Sequence, residues 1–443
     1  MFETLKNAFK NKEVRTKILI TIGLLFIYRL GCWIPIPGLN FGALDSAFTA
    51  EGGAFAQNGL LGLLSGVTGN ALKNGAFFAI GVTPYINASI ILQLLTVAIP
   101  KLQEYSKQGD EGKKKITLIT RIITLVLAIA QSIAISVSFY NAGAFYTDVF
   151  GPLHNPGLVG FFISVLMVTG AMLTMWLGER ITDYGIGNGI SLLIFVGIIS
   201  SAGLAIVAKF REWFTDTTGQ STAPWELLGF LLLVIAIFML IVFVDTAERR
   251  VQVQYAKQIK GRKMYGGQST YIPVKLNASG VLPIIFATAL ITFPQMIAQM
   301  INPASGFSLW WNKWLGAGTP IYSVLVALLI LFFSYFYAQI EFNPEDISRN
   351  IQQYGGVIKS VRPGKPTTEY LSRISKRLTL FGAIFLAFIA LVPSVIFAAV
   401  LQDATLVNAF SATGMLIVVS VALELNKQLQ SQLMMKQYKG FLK

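Results

Sequence analysis

The sequence predicts an all-α integral membrane protein with ten transmembrane helices, and three observations carry that prediction. Of its 443 residues 54% are hydrophobic and only 13% charged, about half the roughly 25% charge of a soluble globular chain. Apolar runs fall near 18–37, 76–99, 116–139, 157–177, 186–208, 226–245, 278–300, 321–340, 378–401 and 406–425, each close to the roughly 20 residues that a helix needs to cross a bilayer. The basic residues are also distributed unevenly between alternate loops, as the positive-inside rule requires.

Taken in order, residues 1–17 are charged and amphipathic, with no small-residue cleavage site after the first apolar run. They read as a retained cytoplasmic segment and not a signal peptide. The first five runs make an N-terminal half, 18–215, and the last five a C-terminal half, 220–425, followed by a tail at 426–443. Between the first two runs, Leu60–Leu64 is too short to cross. Gly59, Gly62, Gly66 and Gly69 flank or interrupt it, so it reads as a re-entrant or interfacial piece. Five spans per half is an odd number, which places the halves in opposite orientations. If they share a fold, they are inverted repeats.

With the N-terminus inside, thirty of the thirty-five Lys and Arg fall in internal segments. The exceptions are Arg29, Lys73, Lys209, Arg211 and Lys313. That count puts both termini in the cytoplasm and accounts for the net charge of +14 without nucleic acid. Two internal loops, 246–276 and 341–377, are large and of mixed charge, with turn pairs Gly266-Gly267 and Pro363-Gly364. The alternation in Arg250-Val-Gln-Val-Gln-Tyr255 suits a strand or hairpin. Loops of this size are candidate docking surfaces, or plain positive-inside loops.

Several chemistries are missing. Gly109-Asp-Glu-Gly-Lys-Lys-Lys115 lacks the spacing and hydroxyl of a phosphate-binding loop, so no ATPase is expected. The single Cys32 and single His154 make neither a zinc site nor a cysteine-protease pair, and no cofactor or enzymatic activity is expected. Asp245 and Glu424 lie at the internal ends of their spans, within reach of water. The shortage of buried acids counts against the alternative of an ion-coupled transporter. Arg29 is the one charge set well within a span. It lies toward the outer end and is expected to snorkel, a contact with the 59–71 segment being the sharper alternative.

Stretches along the whole chain resemble the bacterial SecY family, the central subunit of the protein-conducting channel. They are Arg29-Leu-Gly-Cys-Trp-Ile-Pro-Ile-Pro-Gly38, Gly81-Val-Thr-Pro-Tyr-Ile-Asn-Ala-Ser-Ile-Ile-Leu-Gln-Leu-Leu95 and Trp176-Leu-Gly-Glu-Arg-Ile-Thr-Asp-Tyr-Gly-Ile-Gly-Asn-Gly-Ile-Ser191. In the loops and seventh span, Tyr255-Ala-Lys, Gly261-Arg-Lys, Gln268-Ser-Thr, Gly280-Val-Leu-Pro-Ile-Ile-Phe286, Phe342-Asn-Pro and Val361-Arg-Pro-Gly-Lys365 also match.

The resemblance implies two inverted five-helix halves around an hourglass pore. Its waist would be an aliphatic ring of Val82, Ile86, Ile190, Ile194, Ile285 and Ile417. By themselves such residues are ordinary lipid-facing or core positions; only the resemblance singles out these six. Segment 59–71 falls where the family places its plug, with Leu60, Leu61, Leu64, Ser65 and Gly66 at its centre. Asn87, Gln93 and Phe293 match a lateral gate between the second and third spans and the seventh and eighth. Arg249, Arg250 and Arg362 match loop arginines that serve a ribosome or the SecA motor ATPase. The implied partners also include small SecE-like and SecG-like membrane subunits, an unfolded polypeptide bearing a signal sequence, and the bilayer of the bacterial cytoplasmic (inner) membrane.

Overall fold

The computed structural model describes residues 6, 8–49, 59–146, 155–215, 224–255, 258–260, 263–265, 269–277, 280–301, 306–316, 319–400, 410 and 412–441. Each of the ten apolar runs overlaps a helix among the described residues. Contacts divide the chain into two compact units. One comprises Met1–Leu228, Ala289–Tyr322 and Phe397–Lys443, the other Gly229–Thr288 and Ser323–Ile396.

The first unit holds α1 (Lys12–Gly31), the short helices α2 (Phe41–Thr49) and α3 (Gly59–Val67), α4 (Thr83–Ala98), α5 (Pro100–Lys107), α6 (Gly109–Asn141), α7 (Pro156–Tyr184) and α8 (Gly189–Thr215). The short α11 (Gly306–Leu315) and the last helix, α15 (Ala412–Phe441), also belong to it, and α15 packs on α8. Helix α1 opens on Asn11, whose side chain accepts from the Glu13 amide, a capping contact that satisfies one of the orphan donors of the first turn. Between α4 and α5 the chain bends by 103°. Pro100 supplies no amide hydrogen, and it holds Ile99 extended (φ −108°, ψ 114°).

The second apolar run differs from the expectation of a span over 76–99. Its helix starts only at Thr83, because Gly75 and Gly81 take positive φ (54° and 60°) and Pro84 sits in the first turn. Non-helical backbone at membrane depth must find its hydrogen bonds within the protein. Here the Phe77 amide donates to the Ile34 carbonyl at 2.8 Å, and the Ile36 amide to Gly75 at 2.9 Å. Two glycines let the neighbouring helices close over this stretch. A Cβ on Gly170 of α7 would collide with the Phe77 carbonyl oxygen, and one on Gly31 of α1 with the Phe78 ring.

The second unit contains most of α9 (Pro224–Thr246), the start of α10 (Leu282–Ile301), most of α12 (Pro320–Glu341) and α14 (Lys365–Val400), and α13 (Pro344–Gln353). Phe286 packs between Phe333 (5.4 Å) and Tyr337 (4.8 Å), fastening α10 to α12. The expected hairpin forms from β1 (Glu248–Tyr255) and β4 (Ser269–Lys275), antiparallel with Val251 opposite Ile272 and Val253 opposite Thr270. A small pair, β2 (Gln258–Lys260) and β3 (Lys263–Tyr265), lies between them in sequence; the Gly266-Gly267 turn is outside the described residues. The other edge of β1 pairs with β5 (Gly356–Ile358), so one sheet of order β4-β1-β5 joins both large loops. Val251, Val253, Val274, Ile351, Ile358 and Leu371 form its core.

Six helices (α6 to α9, α12 and α14) are long and apolar enough to cross a membrane on their own among the described residues, and the bent pair α4–α5 makes a seventh. Helices α1, α10 and α15 carry the remaining apolar runs.

Candidate functional site

The 59–71 segment folds as a nine-residue apolar helix, α3, followed by a tight left-handed exit. Gly69 and Asn70 both take positive φ (69° and 66°), and the Asn70 amide returns to the Ser65 carbonyl at 2.8 Å. That bond is the long-range closure of a Schellman motif. Thr68 adds its hydroxyl, donating to the Leu64 carbonyl at 3.1 Å.

Three groups from other helices meet this exit. Gly197 of α8 lies against the Val67 carbonyl so closely that any Cβ there would collide with it. Four residues along the same helix, Ser201 donates its hydroxyl to the Gly66 carbonyl at 2.9 Å. Arg29 of α1 donates from Nη1 to the Gly69 carbonyl at 2.9 Å. The expectation that Arg29 snorkels is therefore corrected, because the guanidinium turns to the plug-like segment. The C-terminal end of a helix carries partial negative charge and unpaired carbonyls, and a cation there gains from both. Among the described residues no carboxylate competes for Arg29.

Of the other described side chains of α3, Leu61 and Leu64 pack into an apolar cluster. Leu61 is buried and Leu64 half-buried, above a small cavity of about 30 Å³ that Gln131, Ile135 and Ser138 of α6 also line. Ser65 is buried, and its hydroxyl finds no partner among the described residues. Gly66 is half-buried at the Ser201 contact, and the Leu60 side chain lies outside the described residues.

The six ring positions fall on four elements. Val82 is buried and caps α4, and its carbonyl receives the Ile86 amide at 3.1 Å. Ile86 is half-buried. Ile190 stands in the first turn of α8, where Asn188 Oδ1 accepts from the Ile190 and Ser191 amides. Its δ-methyl covers Gly178 of α7, a position where a Cβ would strike it. Ile194, one turn on, and Ile417 of α15 are both buried. These five belong to the first unit, whereas the half-buried Ile285 of α10 belongs to the second. Of the gate positions, Asn87 is half-buried and Gln93 exposed on α4. Phe293 lies on α10 just before Pro294, and its side chain is outside the described residues.

The loop arginines are all exposed and all in the second unit. Arg249 and Arg250 are consecutive on β1, so they point to opposite faces of the strand. Arg250 is engaged locally. Its Nε donates to Glu248 at 2.9 Å and its guanidinium lies 4.8 Å from the Tyr271 ring centre. The hydrogen bond to Glu248, and then the neighbouring Tyr271, push the Arg250 pKa up. Arg362 projects from the turn after β5, beside Pro363 and Gly364 (φ 94°), as its sequence context predicts. Its own carbonyl accepts from Thr367 Oγ1 at 2.8 Å, which fixes the turn at the start of α14.

Ser201, Gly197 and the β5 strand were not legible as functional positions. A serine or glycine in an apolar run carries no period, and three residues are too few for a strand pattern.

The sequence profile described as SecY matches residues 76–426. The chain is 41% identical to the protein translocase subunit SecY of Streptomyces coelicolor, over all of both chains. It is 40% identical to that of Thermotoga maritima over all of this chain and 98% of the relative. Among solved structures, one described as a protein-conducting channel superposes with a TM-score of 0.64 at 18% identity, covering 94% of this chain and 92% of that one. Sec61 from a canine ribosome–channel complex gives 0.60 at 17% identity, with the same coverage. At that identity the likeness carries the fold, an all-α membrane architecture of ten spanning helices. Profile, relatives and fold agree along the length of the sequence, and the chain belongs to the SecY family.

Proposed function

We propose that this chain is a passive, gated conduit for unfolded polypeptides, passing secreted chains across the bacterial cytoplasmic membrane and releasing apolar spans sideways into lipid. The observation that carries the proposal is the seating of α3. A nine-residue apolar helix sits among spanning helices, tied at one end by two side-chain bonds and underlain by a residual cavity. Such a seat closes a channel without being optimally packed.

In this reading segment 59–71 is the plug, and Val82, Ile86, Ile190, Ile194, Ile285 and Ile417 form the aliphatic waist. A ring of aliphatic groups seals by dewetting and offers a passing chain no hydrogen-bond partner. Asn87, Gln93 and Phe293 line the seam through which a signal sequence exits. The sheet that joins the two large loops presents Arg362, with Arg249 and Arg250, to a ribosome or a SecA motor on the cytoplasmic face, where both termini also lie. Energy then comes from the partner, and SecE-like and SecG-like subunits complete the complex.

The test is conductance. The chain is reconstituted in liposomes with its co-purifying small subunits, and residues 60–66 are replaced by a Gly/Ser linker. Resting ion flux is expected to rise at least about tenfold, the factor that each 1.4 kcal/mol of lost closed-state preference gives. A correctly folded variant as tight as the parent would contradict the plug assignment.

A further inference from the structure

We infer that α11 is an anchor to the phospholipid surface. It lies along the bilayer at headgroup level, with Phe307, Leu309, Trp310 and Trp314 sunk into the interface and Lys313 on a lipid phosphate.

Helix α11 follows α10, which ends at Ile301, and precedes α12, which begins at Pro320. Both neighbours carry apolar runs, 278–300 and 321–340, so α11 is held within a few residues of the membrane surface. Its ten residues make about 15 Å of helix, half the roughly 30 Å of a bilayer core, and cannot cross it. At about 100° per residue the helix has two sides. On one, Ser308 is buried and Trp311 and Leu315 are half-buried. The other carries, in order around the helix, Leu309, Lys313, Trp310, Trp314 and Phe307, all exposed. The loop 302–319 contains no Asp or Glu, and Lys313 is its one charge.

An exposed arc of three aromatic rings and a leucine marks an interaction surface, and its composition selects the bilayer interface as the occupant. An indole has an apolar body and a donor at its edge, so Trp concentrates where hydrocarbon meets headgroups. The Phe307 ring stacks on Trp310 at 6.4 Å and tilts against Trp311 at 5.6 Å, so the rings hold one another in place. Lys313 Nζ lies 5.8 Å from the Trp314 ring centre, and among the described residues no carboxylate pairs with it. With the rings at the acyl boundary, its flexible stem carries the ammonium up to the phosphates. The anchor is also joined firmly to a spanning helix. Thr319 donates its hydroxyl to the Trp314 carbonyl at 2.9 Å and accepts from the Tyr322 amide at 3.2 Å. One residue therefore closes α11 and opens α12. In the topology proposed above the loop 302–319 faces outward, which makes the leaflet the outer one; the depth of α11 does not depend on that reading.

The test uses the resting complex, with its co-purifying small subunits, in phospholipid nanodiscs and with Cys32→Ser as background. An environment-sensitive fluorophore is attached singly at Leu309→Cys, which keeps every aromatic residue and Lys313, and at Trp314→Cys. Tyr354→Cys in the second large loop is the aqueous control and Phe332→Cys in α12 the acyl-chain control, both positions being exposed. Both α11 probes should resist aqueous iodide. Lipid spin-labelled at the headgroup should quench them at least about threefold more strongly than lipid labelled at the chain end, since an interfacial helix sinks only about 5–10 Å into the boundary. Lys313→Glu should lower headgroup-label quenching of the Leu309→Cys probe at least about twofold, because repulsion replaces attraction to phosphate, and Lys313→Arg should keep it. Quenching by iodide alone would put the arc in water, and protection from every quencher would put a protein over it; either overturns the anchor. Quenching from the chain end as strong as from the headgroup would overturn the placement at headgroup level. Indifference to Lys313→Glu would overturn the lysine–phosphate contact. No translocating chain is present, so these outcomes bear on the anchor and leave the conduit proposal to its own test.

Discussion

At the scale of single residues, the first unit is assembled on glycines that admit backbone where no side chain fits. Gly170 and Gly31 receive the non-helical Phe77-Phe78 stretch, Gly197 receives the end of α3, and Gly178 receives the Ile190 side chain. In a membrane, helices gain little from the hydrophobic effect on meeting, and close approach of backbones does the work instead. Gly170→Val should therefore push Phe77 out of hydrogen-bond register with Ile34. The expected cost is about 1–3 kcal/mol or more of overpacking, read as a lowered melting temperature in detergent and lost ion tightness. Gly203, whose Cβ would meet nothing, is the control, and Gly203→Ala should be neutral. Such notches were not legible in the sequence, because a glycine in an apolar run states only that something is absent. What fills the space belongs to another helix. Arg29 was partly legible: its depth favoured snorkelling, with contact to the 59–71 segment as the alternative, and nothing in the sequence singled out the Gly69 carbonyl forty residues on.

At the scale of elements, the β4-β1-β5 sheet ties the two cytoplasmic loops into one body. The hairpin could be read from strict alternation over 250–255, because a half-buried strand shows a period of two. The third strand could not, being three residues long and about a hundred residues away. Val253 is fully buried and pairs with Thr270 on one side and Ile358 on the other, so it is the joint between the loops. Val253→Asp puts an unpaired charge there, a penalty of several kcal/mol that the sheet is too small to absorb. Limited proteolysis should then cut within both 246–276 and 341–377 together, with the spanning helices intact; cutting in one loop alone would mean that the strands are stable independently. A docking role for the turn after β5 gives a second prediction at this scale. Arg362→Glu should reduce motor-driven translocation at least about tenfold, since reversal replaces a charge-assisted bond by repulsion, and should leave resting ion flux unchanged. Unimpaired transport would remove Arg362 from the docking surface.

For the whole molecule, the ten spans and their order were visible in hydropathy and in the lopsided count of Lys and Arg, since both follow from the bilayer as solvent and need no knowledge of packing. The functional assignment is a different kind of statement. An aliphatic ring is invisible as such, because Val82, Ile86, Ile190, Ile194, Ile285 and Ile417 are chemically the same as residues that face lipid. In the proposed channel, what would make them a ring is the meeting of several helices around one axis. The most direct test of the conduit places photo-crosslinking probes singly at Ile86, Ile190 and Ile285, in the complex with a secretory chain stalled midway. The account predicts that all three positions crosslink to the stalled chain, and that probes on lipid-facing positions such as Phe161 and Phe243, both exposed, do not. Crosslinks confined to the lipid-facing probes, or missing from Ile285 while present at the other two, would contradict a chain passing through a pore lined by both parts of this protein.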